Sequence, residues 1–372
     1  MVAGPHGKGD ETAWSGPPSA SAQAADLPPR SSLITRARIP RYSAVWVATA
    51  VMFAISPLFA SNSLTSSALL SMLPFASMLA IAAIGQTLVI QQRGLDLSVP
   101  GMILLSSIIV TEHAAHSDAK LPEAILLVVV ACIASGLVSG IAITQFGITP
   151  LVATLGVNYI LIGLVYQITN GTGAGISPPG LANFAVHKTI GIPNTTVVTV
   201  LTIAVVAALL RMTIPGRRFV AVGASPAAAR AAGIGVTGYV IGTYVLASLC
   251  YGAAGILITG YLQTPGISAG QTYLLPTIAA VVLGGTSLGG GTGSVVATAV
   301  GALFLTQLGQ VVTANGAAPS IQYIIQGSII ALGMLLRNVP WRRAFDSVTA
   351  RSAPPLSTIP AAVAASVPQQ EP

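Results

Sequence analysis

The chain has 372 residues, of which 53% are hydrophobic and only 7% are charged, and its formal net charge is +7. A soluble domain usually has about a quarter of its residues charged, so this composition excludes an ordinary soluble protein and indicates an all-α polytopic membrane protein. The basic residues lie beside apolar runs without interleaved aromatic residues, so we expect no nucleic-acid partner. Both cysteines lie inside apolar runs, which predicts no disulfide framework, no metal site and no cofactor.

The two ends of the chain differ from its middle in composition. Residues 1–40 are rich in Gly, Pro, Ala and Ser, and residues 338–372 are rich in Pro, Ala and Ser. Neither end has the periodic apolar content that builds a core, so both are predicted to be disordered tails. The middle, 41–337, is predicted to be a single transmembrane domain.

About ten apolar runs follow one another in this domain, and we predict that they form two pseudo-symmetric halves. A helical crossing of the bilayer needs about 17–25 residues, since the hydrocarbon core is roughly 30 Å thick. The third and eighth runs are too short, so each is predicted to be a half-helix continued by irregular backbone. The predicted segments are 43–60, 68–91, 98–111, 122–144, 150–168, 194–211, 237–261, 275–286, 292–312 and 319–337.

Lysine and arginine are concentrated in three clusters that are separated by even numbers of predicted spans. The clusters precede the first span, follow the sixth and follow the tenth, at Arg30–Arg41, Arg211–Arg230 and Arg337–Arg351. Basic residues are retained on the cytoplasmic side, so all three clusters and both termini are predicted to be cytoplasmic. The first apolar run begins near Ser43, too far into the chain for a cleaved secretory signal.

Two of the apolar runs, at 85–101 and 278–294, are interrupted by glycine and small polar residues. Irregular backbone inside a membrane occurs only where it lines a cavity or is buried in protein, so these interruptions predict a translocation pathway. Small polar groups around a single acid suit a neutral polar solute, because an ion pathway usually contains paired acids. The candidate pathway residues are Gln86, Thr87, Asp96, Ser98, Thr286 and Ser287.

The charged pair in the first interruption also has a purely structural interpretation. Asp96 precedes Ser98 and Pro100 in a pattern typical of a helix N-cap, and Arg93 would then extend to the cytoplasmic interface. The glycines of 284–293 are not followed by the Gly-Lys-Ser/Thr of a phosphate loop, so any ATP hydrolysis is expected in a separate subunit. The chain is predicted to have no catalytic residues and not to be an enzyme.

The cytoplasmic loop 212–236 is predicted to contain a short helix. Ser225-Pro226 is typical of an N-cap followed by a first helical position, and Gly233 is typical of a helix end. Such a helix could contact a partner protein or only lipid headgroups, and the residues alone favour neither. The candidate contact residues are Ala228, Ala229, Arg230 and Gly233.

Four motifs occur in order along 43–337. They are Gly-Gln-Thr-Leu-Val-Ile at 85–90 with Gly-Leu-Asp-Leu-Ser-Val at 94–99, Pro-Leu-Val-Ala-Thr-Leu-Gly at 150–156, Gly-Ala-Ser-Pro-Ala-Ala-Ala-Arg-Ala-Ala-Gly-Ile at 223–234, and Ile-Ala-Ala-Val-Val-Leu-Gly-Gly-Thr-Ser-Leu at 278–288. In this order they resemble the permease subunit of ribose-type ABC importers, the branch that covers ribose, xylose, arabinose, galactose and autoinducer-2.

The resemblance implies an alternating-access permease in the lipid of the bacterial cytoplasmic (inner) membrane. It also implies cytoplasmic ABC ATPase subunits that bind the helix at 225–233, a soluble extracytoplasmic sugar-binding protein, and a second permease copy or a sibling permease. Importers of branched-chain amino acids or nucleosides share this architecture and are the alternative. A proton-driven secondary transporter is a further alternative, although the predicted spans contain almost no ionisable residue for it.

The chain departs from the family pattern at six positions. Arg93 and Pro100 stand where the pattern has glycine, and Ser225 and Pro226 replace an asparagine and an acidic residue. Two further carboxylates are lost at the outer end of the eighth segment, at Leu274 and Pro276. These departures leave the identity of the solute and the docking of a binding protein open.

Overall fold

The computed structural model describes Gly4 and residues 42–171 and 175–338, without the side chains of Pro319 and residues 333–338. Nearly all of the two predicted tails, 1–40 and 338–372, lies outside the described residues. The described α-helices are α1 Ser43–Phe59, α2 Ser66–Gln91, α3 Val99–Ile108, α4 Leu121–Thr144, α5 Pro150–Thr169, α6 Pro179–Val186, α7 Asn194–Met212, α8 Ile214–Ala224, α9 Pro226–Ala231, α10 Val236–Leu262, α11 Leu274–Leu283, α12 Val295–Ala314 and α13 Pro319–Asn338.

Short elements complete the described part of the chain. A π-helical turn, Ile109–His113, extends α3, and 3-10 turns at Asp118–Lys120 and Gln271–Tyr273 precede α4 and α11. Two strands of two residues each, β1 Lys188–Thr189 and β2 Ile192–Pro193, pair antiparallel before α7. Apart from this small hairpin, the described elements are helical, as the sequence predicts.

Six described helices are apolar and long enough to cross a bilayer, namely α2, α4 with its preceding 3-10 turn, α5, α7, α10 and α12. Shorter apolar helices occur at α1, α3, α11 and within α13. The class of polytopic helical membrane protein is confirmed. The two predicted half-helices are short, since α3 and α11 have 10 residues each. At a rise of about 1.5 Å per residue, these α-helical parts each cover roughly half of the hydrocarbon core, and the π-helical turn lengthens α3 beyond that.

Helix α10 lies at the centre of the bundle and contacts α2, α3, α4 and α6. Its approach to α4 depends on two glycines one turn apart. A Cβ atom on Gly136 would lie 2.4 Å from Val245 Cα, and one on Gly140 would lie 2.7 Å from Ile241 Cα. Small residues four positions apart let two membrane helices pack backbone to backbone, so these glycines set the α4–α10 distance.

The two short helices begin beside each other and run to opposite ends of the bundle. Gly270, just before α11, packs against Pro100 in the first turn of α3, where a Cβ atom would lie 2.1 Å from the Pro100 carbonyl oxygen. Helix α3 leads to Glu112, whose carboxylate accepts a hydrogen bond from the Gly175 N–H at 2.7 Å. Helix α11 leads instead to a loop whose Gly290 packs against the end of α2.

The loop at 212–236 contains the predicted short helix, α9, and also a helix that was not predicted, α8. Thr213 caps α8 by accepting a hydrogen bond from the Gly216 N–H at 3.1 Å, and Pro215 lies in its first turn. A threonine cap followed by proline is a helix-start signal, so the sequence did contain the evidence for α8.

Candidate functional site

The two interruptions begin with the same backbone reversal at the ends of α2 and α11. Arg93 has a φ of 65° and Gly285 a φ of 76°, both in the left-handed region. The amide that follows donates to the carbonyl five residues earlier, as the Gly94 N–H does to Val89 O at 3.0 Å. This pattern is a Schellman motif, which ends a helix sharply while satisfying its last carbonyl groups.

The structure brings the two interruptions together at one end of the bundle. The Gly291 N–H of the second donates to the Gln91 carbonyl oxygen of the first at 2.8 Å. The packing leaves no room for side chains at this junction, because a Cβ atom on Gly290 would lie 2.4 Å from Arg93 Cγ. Segments far apart in sequence therefore form one structural unit, and its glycines are required by close backbone approach.

Arg93 connects this junction to the end of α8. Its Nε donates to the Gly223 carbonyl oxygen at 2.9 Å, and the guanidinium also donates to the carbonyl of Ala224. The neighbouring Gln92 side chain donates to the Phe219 carbonyl at 2.7 Å. The carbonyls of Gly223 and Ala224 end α8, where free C=O groups and the helix dipole favour a cation. The side chain expected to extend to the interface is therefore bound to the segment that immediately precedes α9.

Asp96 stabilises the irregular segment between α2 and α3. Its side chain is buried, and its Oδ1 accepts hydrogen bonds from the Ser98 N–H at 2.8 Å and the Ser98 hydroxyl at 2.6 Å. Ser98 is the residue before α3, so these bonds close an Asx-type turn. Asp96 therefore has a structural role, but the predicted N-cap is wrong: the N-cap residue of α3 is Ser98, and α3 has no side-chain cap hydrogen bond.

Two side chains of α5 that sequence analysis did not select complete this region. Thr154 accepts a hydrogen bond from the Leu97 N–H at 2.9 Å, and Asn158 accepts one from the Gly101 N–H at 2.8 Å. Free N–H groups inside a membrane protein need such partners. The two residues are four positions apart in an apolar helix and therefore lie on one face of it. This spacing of two polar residues could have identified them from the sequence.

Gln86 and Thr87 are fully buried where α2 meets its neighbours. The Tyr251 hydroxyl of α10 donates to Gln86 Oε1 at 3.0 Å, and the Thr87 hydroxyl donates to that of Thr298 in α12 at 2.9 Å. Both side chains therefore join helices in this conformation of the protein. Tyr251 and Thr298 are their partners, which the sequence analysis did not identify.

The remaining candidate pathway residues lie in the turn that follows α11. Thr286 is buried, whereas Ser287 is partly exposed and its N–H donates to the Thr292 carbonyl at 2.8 Å. Gln86, Thr87, Asp96, Ser98 and Thr286 are each at most 1% exposed, so Ser287 is the member of the set that reaches the surface. Contact of these residues with a solute stays a prediction.

Helix α9 has the caps that the sequence predicts. The Ser225 hydroxyl accepts a hydrogen bond from the Ala228 N–H at 3.3 Å, and Gly233, with a φ of 76°, closes a Schellman motif in which the Ile234 N–H donates to Ala229 O at 2.9 Å. The Ala229 side chain is buried. Ala228, Arg230 and Gly233 are exposed, which leaves one face of α9 available for contact.

The described residues contain no cluster of three or more His, Cys, Asp or Glu side chains that could hold a metal ion. Residues 68–334 match the protein family described as Branched-chain amino acid transport system / permease component. The chain belongs to this family of transport permeases. The matched region extends from α2 into α13 and includes both interruptions and α9.

Individual relatives are sugar permeases. The ribose import permease RbsC of Bacillus subtilis is 35% identical over 259 residues, which are 69% of this chain and 80% of that protein. RbsC of Escherichia coli K12 is 35% identical over 269 residues, 70% of this chain and 82% of that protein. The galactofuranose transporter permease YtfT of the same strain is 31% identical over 260 residues, 70% of this chain and 76% of that protein.

No solved structure matches the chain. The resemblance of the motifs to ribose-type importer permeases is confirmed by these relatives, and so is the prediction of a transport subunit that is not an enzyme.

Proposed function

We propose that this chain is the membrane permease subunit of an ABC importer that carries a neutral monosaccharide by alternating access. The observation that carries the proposal is similarity to ribose and galactofuranose permeases across the region that contains both interruptions and α9. Separate subunits hydrolyse ATP, and this chain supplies the path for the sugar.

The protein crosses the bacterial inner membrane with about ten segments, of which α3 and α11 each cover part of the bilayer. The end that contains α8 and α9 is cytoplasmic, and both chain termini, with tails at 1–40 and 338–372, lie on the same side. The basic cluster Arg211–Arg230 supports this orientation, because it belongs to that end of the bundle. The opposite end contains the acids Glu112 and Asp118.

Helix α9 is the contact for the ATPase subunits. Its exposed Arg230 offers a planar guanidinium that suits a bidentate bond to a carboxylate of the partner. Movement of α9 reaches both interruptions through α8, because Arg93 holds the end of α8 to the junction at Gln91–Gly291. The candidate pathway residues from Gln86 to Ser98, with Thr286 and Ser287, open or close the cytoplasmic part of the path at this junction.

The importer contains further subunits. A soluble sugar-binding protein delivers the solute at the extracytoplasmic end, and a second copy of this chain or a sibling permease forms the other half of the path.

The alternative solute class is the branched-chain amino acid, which the family description names. An amino acid is a zwitterion, and a buried path needs fixed charges or hydrogen-bond partners for both of its ends. Asp96 is the buried acid of the candidate pathway, and its Oδ1 already accepts two hydrogen bonds from Ser98. The chemistry of the site therefore favours the neutral sugar.

Uptake into proteoliposomes tests the proposal. The chain is co-reconstituted with its ATPase and binding-protein subunits, and uptake of radiolabelled D-ribose, D-galactose and L-leucine is measured with and without ATP. We expect ATP-dependent uptake of a monosaccharide and none of leucine. Uptake of leucine without uptake of either sugar would contradict the monosaccharide proposal and support the branched-chain amino acid.

A further inference from the structure

A cavity of about 670 Å³ lies at the end of the bundle opposite α8 and α9. Its walls come from the first half of α2, the second half of α12 and the first half of α13, and the 3-10 turn before α11 contributes Thr272 and Tyr273. A cavity of this size is within the range of small-molecule sites. It lies apart from the two interruptions, and none of the six candidate pathway residues lines it.

Three glutamine side chains face this cavity, Gln310 from α12 and Gln322 and Gln326 from α13. Gln326 is only 1% exposed, and its Oε1 has no hydrogen-bond partner among the described residues. Gln310 donates through Nε2 to the Ala68 carbonyl at 3.2 Å, while its Oε1 also has no partner there. An unsatisfied buried amide oxygen costs about 1–3 kcal/mol, and because Gln310 and Gln326 line the cavity, a ligand there could supply the missing hydrogen-bond donors.

The third glutamine depends on a gap in the opposite helix. A Cβ atom on Gly309 would lie 2.8 Å from Gln322 Nε2, so the amide lies directly over the α12 backbone at that glycine. Gly309 lines the cavity as well. The absence of a side chain at this position lets α13 present Gln322 beside the next residue of α12, Gln310.

Aromatic rings form another part of the lining. Phe75 of α2 and Tyr261 of α10 meet edge to face with ring centroids 5.2 Å apart, and Tyr273 is a third ring. No Asp, Glu, Lys, Arg or His side chain occurs among the lining residues that the structure describes. Amides and aromatic rings without a fixed charge suit a neutral ligand with many hydroxyl groups, whereas a buried zwitterion would lack counter-charges.

The cavity has an apolar floor towards the junction. Leu79 and Leu305 line it and also belong to the buried apolar cluster formed with Ala83, Ala280 and Val281. The Thr87–Thr298 hydrogen bond lies further along α2 and away from the cavity. In this conformation the cavity is therefore separated from the two interruptions by packed apolar side chains.

We infer that this cavity is the extracytoplasmic solute site, in which Gln310, Gln322 and Gln326 bind the hydroxyl groups of a monosaccharide. The inference rests on the proposed function and adds to it a binding site in a different part of the bundle. The Leu79–Leu305 floor separates the site from the cytoplasmic junction and must open during transport.

Uptake by paired glutamine variants is the first test. Gln326→Leu and Gln310→Leu each remove an amide from the cavity, whereas Gln307→Leu, in the same helix as Gln310, removes one that donates to Ser56 Oγ away from it. Loss of one hydrogen bond to the sugar should lower uptake of D-ribose or D-galactose about 2- to 12-fold for each cavity variant. The Gln307 variant should transport at the wild-type rate per assembled complex.

Thiol labelling is the second test and does not require transport by the variant. In the assembled importer, Gln322→Cys should react with a membrane-impermeant maleimide added from outside, and excess transported sugar should slow the reaction while leucine does not. Gln307→Cys should label no more than the wild-type protein, which has Cys132 and Cys250. The site would be refuted if sugar did not slow the labelling of Gln322→Cys and if Gln310→Leu and Gln326→Leu took up sugar at the wild-type rate. That result would leave the proposed function intact, because the wild-type complex would still import sugar. No sugar uptake by the wild-type complex would refute the proposed function itself.

Discussion

At Arg93 a side chain occupies a left-handed backbone position, with a φ of 65°. The equivalent position at the end of α11 is Gly285 and at the end of α9 is Gly233, both with a φ of 76°. A non-glycine residue in this conformation costs about 1–2 kcal/mol. The bonds from the guanidinium to Gly223 and Ala224 offset that cost, since a hydrogen bond from a charged group contributes about 1.5–3 kcal/mol where it is shielded from water, and less where it is exposed.

Substitution of Arg93 separates the cost of the strained backbone from the contribution of the guanidinium hydrogen bonds. Arg93→Ala loses the guanidinium bonds and keeps the strained backbone, whereas Arg93→Gly loses the same bonds and relieves the strain. We expect both variants to be less stable than wild type. The free energy of unfolding of the alanine variant should be about 1 kcal/mol lower than that of the glycine variant. Thermal unfolding in detergent measures the order, and an alanine variant at least as stable as the glycine variant would contradict the argument.

The α4–α10 contact illustrates how one pair of helices depends on glycine. A Cβ atom on Gly136 would lie 2.4 Å from Val245 Cα, and backbone atoms cannot move aside as a flexible side chain does. Gly136→Ala should therefore push the helices apart and cost about 1–3 kcal/mol. Gly163→Ala in α5 is the control, because no atom lies within 4 Å of its Cβ position. Equal melting temperatures for the two variants would show that α4 and α10 do not need this close approach.

Two exposed residues of α9 and its C-terminal cap, Arg230 and Gly233, test whether this helix binds the ATPase. Arg230→Ala removes an exposed guanidinium and should weaken binding of the ATPase by about 1.5–3 kcal/mol per lost charge-assisted hydrogen bond. Gly233→Val should weaken it too, because a β-branched residue disfavours the left-handed Schellman position. Co-purification of the ATPase subunit measures both effects.

Arg211→Ala, in the last turn of α7, is the matched control for an exposed arginine at the same end of the bundle. If all three variants co-purify with the ATPase as wild type does, α9 is not the coupling contact.

At the scale of the whole molecule, orientation can be measured by labelling single cysteines in intact cells. Lys188 lies in the small hairpin before α7, and Arg217 lies in α8. A membrane-impermeant reagent added from outside should modify Lys188→Cys and leave Arg217→Cys unmodified, and cysteines at Arg30 and Arg342 should be protected as well. Labelling at position 217 from outside would overturn both the orientation and the span count.

The long and short helices follow one another in opposite order at the two interruptions. The first interruption follows a long helix and leads to a short one, from α2 to α3, whereas the second follows the short α11 and leads to the long α12. Because α3 and α11 start side by side and run to opposite ends, α3 leads away from the end where the two interruptions meet, whereas α11 leads towards it. The junction at Gln91–Gly291 and the cavity therefore lie at opposite ends of the bundle.

The sequence by itself determined the helical membrane class and the two interruptions, because apolar runs, prolines and glycines act through local backbone physics. It also determined the caps of α9, since Ser225 and Gly233 act within one short helix. Helix α8 was missed although its Thr213 cap and Pro215 were present in the sequence. These features needed no knowledge of distant contacts.

Only the tertiary structure decided which segments meet. The bonds of Arg93 to the end of α8, of Thr154 and Asn158 to the first interruption, and of Gln91 to Gly291 join residues far apart along the chain. The glutamines of α12 and α13 line one cavity with the rings of α2 and α10 only because the helices pack in this way. Local patterns predict that a residue is polar and on a helix, but the partner it faces depends on how whole helices pack.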